Sequence, residues 1–170
     1  RLPPRRLSVA PMLDWTDRHF RYMARQITEN AWLYSEMINA RAIIYGDKDR
    51  FLMFNEGEQP IALQLGGSEP ADLAKAAKAA EEYGYNEINL NCGCPSPRVQ
   101  KGAFGACLMN EVGLVADCLN AMQDAVDIPV TVKHRIGVDR QTEYGVAAEF
   151  VGTLYEKTAC RTFIVHARNA

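Results

Sequence analysis

Residues 88–109, INLNCGCPSPRVQKGAFGACLM, hold Cys92, Cys94 and Cys107, three of the five cysteines in the chain. Thiols this close together can serve a metal, a disulfide or a reaction. Structural zinc takes four ligands, usually from paired C-x₂₋₄-C units. Here a lone C-x-C stands without a second pair, and the nearest histidine is His134. A nucleophilic cysteine wants a base beside it and a lowered pKa. No Cys/His/Asn set is evident. A proton donor needs only reach and a suitable pKa. Cys94 fits that role, because Gly93 permits an unusual turn before it and Pro95 stiffens the exit. The stretch that follows is long and contains Gly102 and Gly105, as expected of a loop that orders over a ligand.

A second set of polar residues sits at matching places. In IALQ (61–64), INLN (88–91), VTVK (130–133) and FIVH (163–166), aliphatic residues hold one parity. Alternation across a strand sends that parity under a layer of helices. The other parity ends in Gln64, Asn91, Lys133 and His166. In the first strand the equivalent place is small, Ala10 and then Pro11. Two amides, an ammonium and an imidazole around one opening make a hydrogen-bonding cup. It suits a planar, polar heterocycle with anionic character, such as a flavin, better than a metal. By the same parity Cys92 points outward as a small buried hydrophobe. Cys118 and Cys160 read as structural, and Cys107 goes with the start of the next helix.

The elements that must position this cup alternate. Strands are expected at 7–13, 32–38, 60–67, 87–93, 129–137 and 162–170. Phe20, Met23, Ala24 and Ile27 mark a helix after the first, and a less regular helical stretch after the second runs to about Phe54. A strong helix follows the third, with Ser68 as N-cap and Gly84 as its end. Val112, Val115, Leu119, Met122 and Val126 mark the next. Ala147, Phe150, Val151 and Leu154 mark the last. Repeated βα units imply a parallel sheet with right-handed crossovers. An open doubly wound sheet and a closed barrel both satisfy that pattern.

The 170 residues suit one domain, and 48% hydrophobic with 24% charged is an ordinary globular composition. A net charge of −2 argues against a uniformly basic nucleic-acid surface but allows a local patch. No long apolar span and no signal peptide are visible. The odd cysteine count fits a reducing cytoplasm better than a disulfide framework. The first residue is Arg, which suggests a trimmed or partial chain.

APMLDWTDRHFR, LQLGG, INLNCGCPS with VQKGAFGACLM, VTVKHRIG and IVHARNA, in this order, resemble the tRNA-dihydrouridine synthases. The likeness is to the bacterial subgroup acting at positions 20 and 20a, and it covers essentially the whole chain. It implies an FMN-binding TIM (β/α)₈ barrel followed by a helical tRNA-binding domain. About six of the eight strands would lie in residues 1–170. It implies that Pro11, Met12, Leu13, Gln64, Lys133, His166 and Arg168 bind FMN, and that Asn91 contacts the target uracil. Cys94 would be the catalytic acid. NADPH would be the reductant, with hydride going from flavin to C6 and a proton from Cys94 to C5. Arg98, Lys101 and the KHRIGVDR stretch (133–140) would meet the RNA. A monomeric cytoplasmic enzyme is expected, without a metal. The rivals are a flavin enzyme acting on free pyrimidines, a cysteine-based redox or metal domain, and an inactive barrel fragment.

Overall fold

The computed structural model describes residues 5–139 and 144–170, apart from the side chains of Arg98 and Gln100. The strands are β1 (Ser8–Val9), β2 (Trp32–Asn39), β3 (Ile61–Gly66), β4 (Glu87–Cys92), β5 (Val130–Arg135) and β6 (Phe163–His166). They alternate with α1 (Arg18–Ile27), α2 (Ala40–Tyr45), α3 (Lys48–Leu52), α4 (Pro70–Glu82), α5 (Pro97–Lys101), α6 (Val112–Ala125) and α7 (Tyr144–Lys157). All neighbouring strands pair in parallel, and spatial order equals chain order from β1 to β6. A doubly wound sheet would reverse that order at a switch point. Strictly sequential pairing is the wall of a barrel, and the six strands form a curled half-barrel.

The alternation places the core. Ile61, Leu63, Leu65, Ile88, Leu90, Cys92 and Val132 are fully buried on the outer face of the sheet. They meet Leu73, Ala76, Ala77 and Ala80 of α4, Val115, Leu119 and Met122 of α6, and Phe150 and Leu154 of α7. The alanine row of α4 lets that helix approach closely. Truncating any one of these leucines to alanine would cost about 2–5 kcal/mol.

Several boundaries differ from the sequence expectation. β1 is short because Pro11 has no N–H to give and the Met12 carbonyl accepts from the Trp15 and Thr16 N–H groups, which turns the chain. The helical stretch after β2 is two helices, because the Asp47 carboxylate caps Asp49 and Arg50 and starts a new one. Ser68 is not the N-cap of α4. Glu69 holds that place without a side-chain bond, and Pro70 opens the helix. Gly84 ends it with φ +93°. α1 forms as expected, but Met23 and Ile27 are exposed while Arg21 and Ala24 are buried. Arg21 bonds Glu58 at 2.7 Å and the Thr16 carbonyl at 2.7 Å. Arg25 donates to the carbonyls of Thr28, Ala31, Glu58 and Pro60. Paired guanidiniums, not apolar side chains, seat this helix.

Candidate active site

The strand ends bring the cup together. Asn91 and Lys133 are register partners on β4 and β5, and Arg135 pairs with His166 on β5 and β6. Asn91 Nδ2 donates to Gln64 Oε1 at 2.8 Å. Asn91 Oδ1 accepts from the N–H groups of Gly93 and Cys94, each at 3.0 Å. The amide that ends one strand therefore folds the next turn onto itself and sets the thiol.

Cys94 is held from its other side as well. Its carbonyl accepts from Ala106 N–H at 2.9 Å, and its Sγ lies 3.6 Å from Ser96 Oγ. Gly105 has φ +77°, and a Cβ there would stand 2.6 Å from the Cys94 carbonyl oxygen and 2.4 Å from Val99 Cγ1. Only glycine fits both demands. The expected long loop is thus a folded segment, α5 followed by a 3-10 turn over Gly105–Asn110, with Cys107 in that turn. Burial pushes up the thiols of Cys92, Cys107, Cys118 and Cys160. Cys92 is fully buried, as its parity requires.

Three cations, Lys133, Arg135 and Arg168, gather with the His166 imidazole at the β5 and β6 ends. Burial, then the Arg135 guanidinium, lower the Lys133 ammonium from its ordinary value. Arg135 above all, with slight burial, Lys133 and Arg168, lowers His166. His166 and Arg168 are exposed, and so is Lys101. Pro11 is half-buried, while Met12 and Leu13 are 40% and 51% exposed on the β1–α1 turn. That turn is tied down by Asp14 N–H, which donates to Glu36 Oε1 at 2.5 Å. Glu36 sits at a register shift in β2. A cavity of 860 Å³ opens beside the cup, lined by Leu13, Glu36, Met37 and Phe104 among others, with Ser96 on its wall. The expected RNA contact at the Arg98 side chain, and Arg140, lie outside the described residues. No cluster of three or more metal-binding side chains occurs among the described residues. None of the described helices is long and apolar enough to cross a membrane.

With this geometry in place, the comparison with known proteins is direct. A family model described as Dihydrouridine synthase (Dus) matches residues 8–170. The chain belongs to the dihydrouridine synthase family. It is 61% identical over 165 residues to the tRNA-dihydrouridine(20/20a) synthase of Vibrio parahaemolyticus, covering 97% of this chain and 50% of that protein. Against the protein of that name from Yersinia pestis it is 60% identical over 168 residues, 99% of this chain and 48% of the relative. For Escherichia coli K12 the figures are 59% over 165 residues, 97% and 48%. The chain spans about half the length of the curated relatives it matches.

This dihydrouridine synthase chain also uses residues that the strand-end pattern passes over. Arg135 bonds the Gly93 carbonyl at 2.9 Å and the Asn169 carbonyl at 3.2 Å, so it ties the β4 turn to the β6 exit. Asn89, Thr131 and Glu87 share the inward parity of Gln64 and Asn91, and they are bonded to them. Gln64 Nε2 donates to Asn89 Oδ1 at 2.8 Å, and Asn89 Nδ2 donates to Thr131 Oγ1 at 2.8 Å. Thr131 donates to Glu87 Oε1 at 2.6 Å, where Tyr34 donates too, at 3.1 Å. Arg5 pairs with the other oxygen of Glu87 and lies over the Trp32 ring. The signal was available, since all three lie at inward positions of strands whose last inward residue was already singled out.

Proposed function

We propose that the complete protein is an FMN- and NADPH-dependent tRNA-dihydrouridine synthase that reduces the C5–C6 double bond of D-loop uridines. The observation that supports it most is the placement of Cys94. Its backbone is fixed by Asn91 and Ala106 beside a cup of amides and cations, inside a family of that name. The chain would form the N-terminal portion of an FMN-binding TIM (β/α)₈ barrel in a monomeric cytoplasmic enzyme. Remaining strands and a helical tRNA-binding domain would complete it.

The residues present fit a flavin. Gln64 and Asn91 each spend one amide N–H within the protein and keep the second. The Lys133 ammonium is half-buried with no bonded acceptor among the described residues. Lys133, Arg135, His166 and Arg168 suit a ring and tail with anionic character. Pro11, Met12, Leu13, Gln64, Lys133, His166 and Arg168 would hold it. When bound, FMN reduced by NADPH would supply the hydride that goes to C6 of the uracil.

The chain's own residues do the rest. Cys94 gives its thiol proton to C5, which completes a two-electron, two-hydrogen reduction. Asn91 contacts the uracil with its remaining N–H, an arrangement that stabilises charge gathering on a carbonyl oxygen. The uridine must leave its stack to arrive there. Arg98 and Lys101 would meet RNA phosphates, which makes binding salt-dependent.

The test is mass-spectrometric mapping of dihydrouridine in unmodified tRNA after treatment with the complete enzyme and NADPH. Dihydrouridine at positions 20 and 20a is expected. Untouched tRNA, with free pyrimidines reduced instead, would overturn the reading.

A further inference from the structure

We infer that Glu87, at the opposite end of β4 from Cys94, is a positioning residue that sets which way round the Gln64 and Asn91 carboxamides sit. Its bearing on catalysis rests on the function proposed above.

A carboxamide is nearly symmetrical in shape, so its orientation is chosen by its partners. Six hydrogen bonds run in one sense along the inner face of the half-barrel. They lead from the Gly93 and Cys94 N–H groups through Asn91, Gln64, Asn89 and Thr131 to Glu87. The backbone end of this column is fixed by chemistry, and at the other end burial raises the Glu87 carboxyl from its ordinary value while the Thr131 hydroxyl, the Arg5 guanidinium and the Tyr34 hydroxyl oppose it in favour of the carboxylate. Backbone N–H groups can only donate, and an ionised carboxylate can only accept. Three donors converge on Glu87, namely Arg5, Tyr34 and Thr131, and the residue is fully buried.

Everything between follows. Thr131 gives its hydrogen to Glu87 at 2.6 Å in preference to the Ile88 carbonyl at 3.4 Å. Its oxygen must then accept from Asn89. Asn89 must turn its own oxygen to Gln64, and Gln64 must turn its oxygen to Asn91. Asn91 is left to present its oxygen to the Cys94 turn. Both lone pairs of that oxygen are occupied by Gly93 and Cys94. Asn91 can therefore offer a ligand a donor and not an acceptor. Such a site reads a carbonyl oxygen on a pyrimidine and rejects an exocyclic amine in the same place. Reversing the column would set amide nitrogen against the Gly93 and Cys94 N–H groups, donor against donor.

The experiment uses the complete protein and three variants, Glu87→Gln, Thr131→Val and Thr131→Ser. The first readout is the side-chain amide ¹⁵N–¹H resonances of Gln64 and Asn91, which need no flavin. Wild type and Thr131→Ser should each show one set. Glu87→Gln and Thr131→Val should show displaced or doubled sets. The second readout is the FMN dissociation constant, expected to rise about tenfold in Glu87→Gln and Thr131→Val and to be restored by Thr131→Ser. Unchanged resonances in either of the two disruptive variants overturn the inference, even if their melting temperature falls. A wild-type protein that takes up no flavin overturns the proposed function instead, and the resonances still decide this one.

Discussion

Arg135 Nε donates to the Gly93 carbonyl at 2.9 Å, so a side chain from β5 fastens the turn that carries Cys94 on β4. Its second bond, to Asn169, makes it a brace across two inter-strand gaps. A hydrogen bond to a charged group is worth about 1.5–3 kcal/mol. Arg135→Met should therefore lower kcat for dihydrouridine formation by roughly tenfold to a hundredfold. The melting temperature should fall as well, by several degrees, so kcat is compared at a temperature where both proteins are folded. An unchanged kcat would show that the turn holds without the brace.

Cys94 and Cys92 should separate cleanly. Cys94→Ala should keep bound flavin and lose activity by about a hundredfold or more, the usual worth of a positioned acid. Cys92 is fully buried on the outer face. Cys92→Ala should cost about 1–2 kcal/mol of stability and leave kcat near wild type. Urea unfolding and single-turnover reduction of tRNA check the pair. A stable Cys92→Ala enzyme as inactive as the Cys94 variant would contradict the strand parity.

Gly105→Ala tests the folded cysteine segment. The left-handed φ of +77° alone costs an L-residue about 1–2 kcal/mol. The new methyl would also press on the Cys94 carbonyl and Val99. The expected result is a lower melting temperature and faster modification of Cys94 by a thiol reagent. Wild-type labelling kinetics would mean the segment does not set the thiol's exposure.

His134 gives the fold a pH limit. Its ring is fully buried against Phe150 and Phe163. Nδ1 faces the Arg135 carbonyl at 2.7 Å, and Nε2 has no hydrogen-bond partner among the described residues. Burial above all, and then Lys133, hold its pKa below the ordinary 6.5, with the Arg135 carbonyl opposing. The unfolded chain therefore binds a proton that the folded chain refuses. Stability should be at its full value above pH 6.5 and decline as the pH falls below it. Chemical denaturation across pH, compared with His134→Phe, checks this. Equal slopes in the two proteins would remove His134 as the cause.

Much of this was legible because a strand has a period of two. That period located the outer core, the burial of Cys92 and the strand-end row of Gln64, Asn91 and Lys133. Period alone could not choose between an open sheet and a barrel, which depends on pairing between distant segments. The helix-period reading of α1 found the helix but not its buried face. Arg21 and Arg25 override the apolar side there because Glu58 and several carbonyls satisfy them. The inner column from Glu87 to Asn91 went unread for a related reason. Asn89 and Thr131 look like ordinary polar strand residues until the register sets them side by side.

The sequential order of the six strands also bears on how the chain assembles. Each new strand docks against the one made just before it, and no strand has to be inserted between two that are already paired. Assembly can therefore follow synthesis from the ribosome, one βα unit at a time. In that order Gln64 is in place before Asn91 arrives to bond it, and Asn91 has already folded the Cys94 turn before Arg135 comes to fasten it.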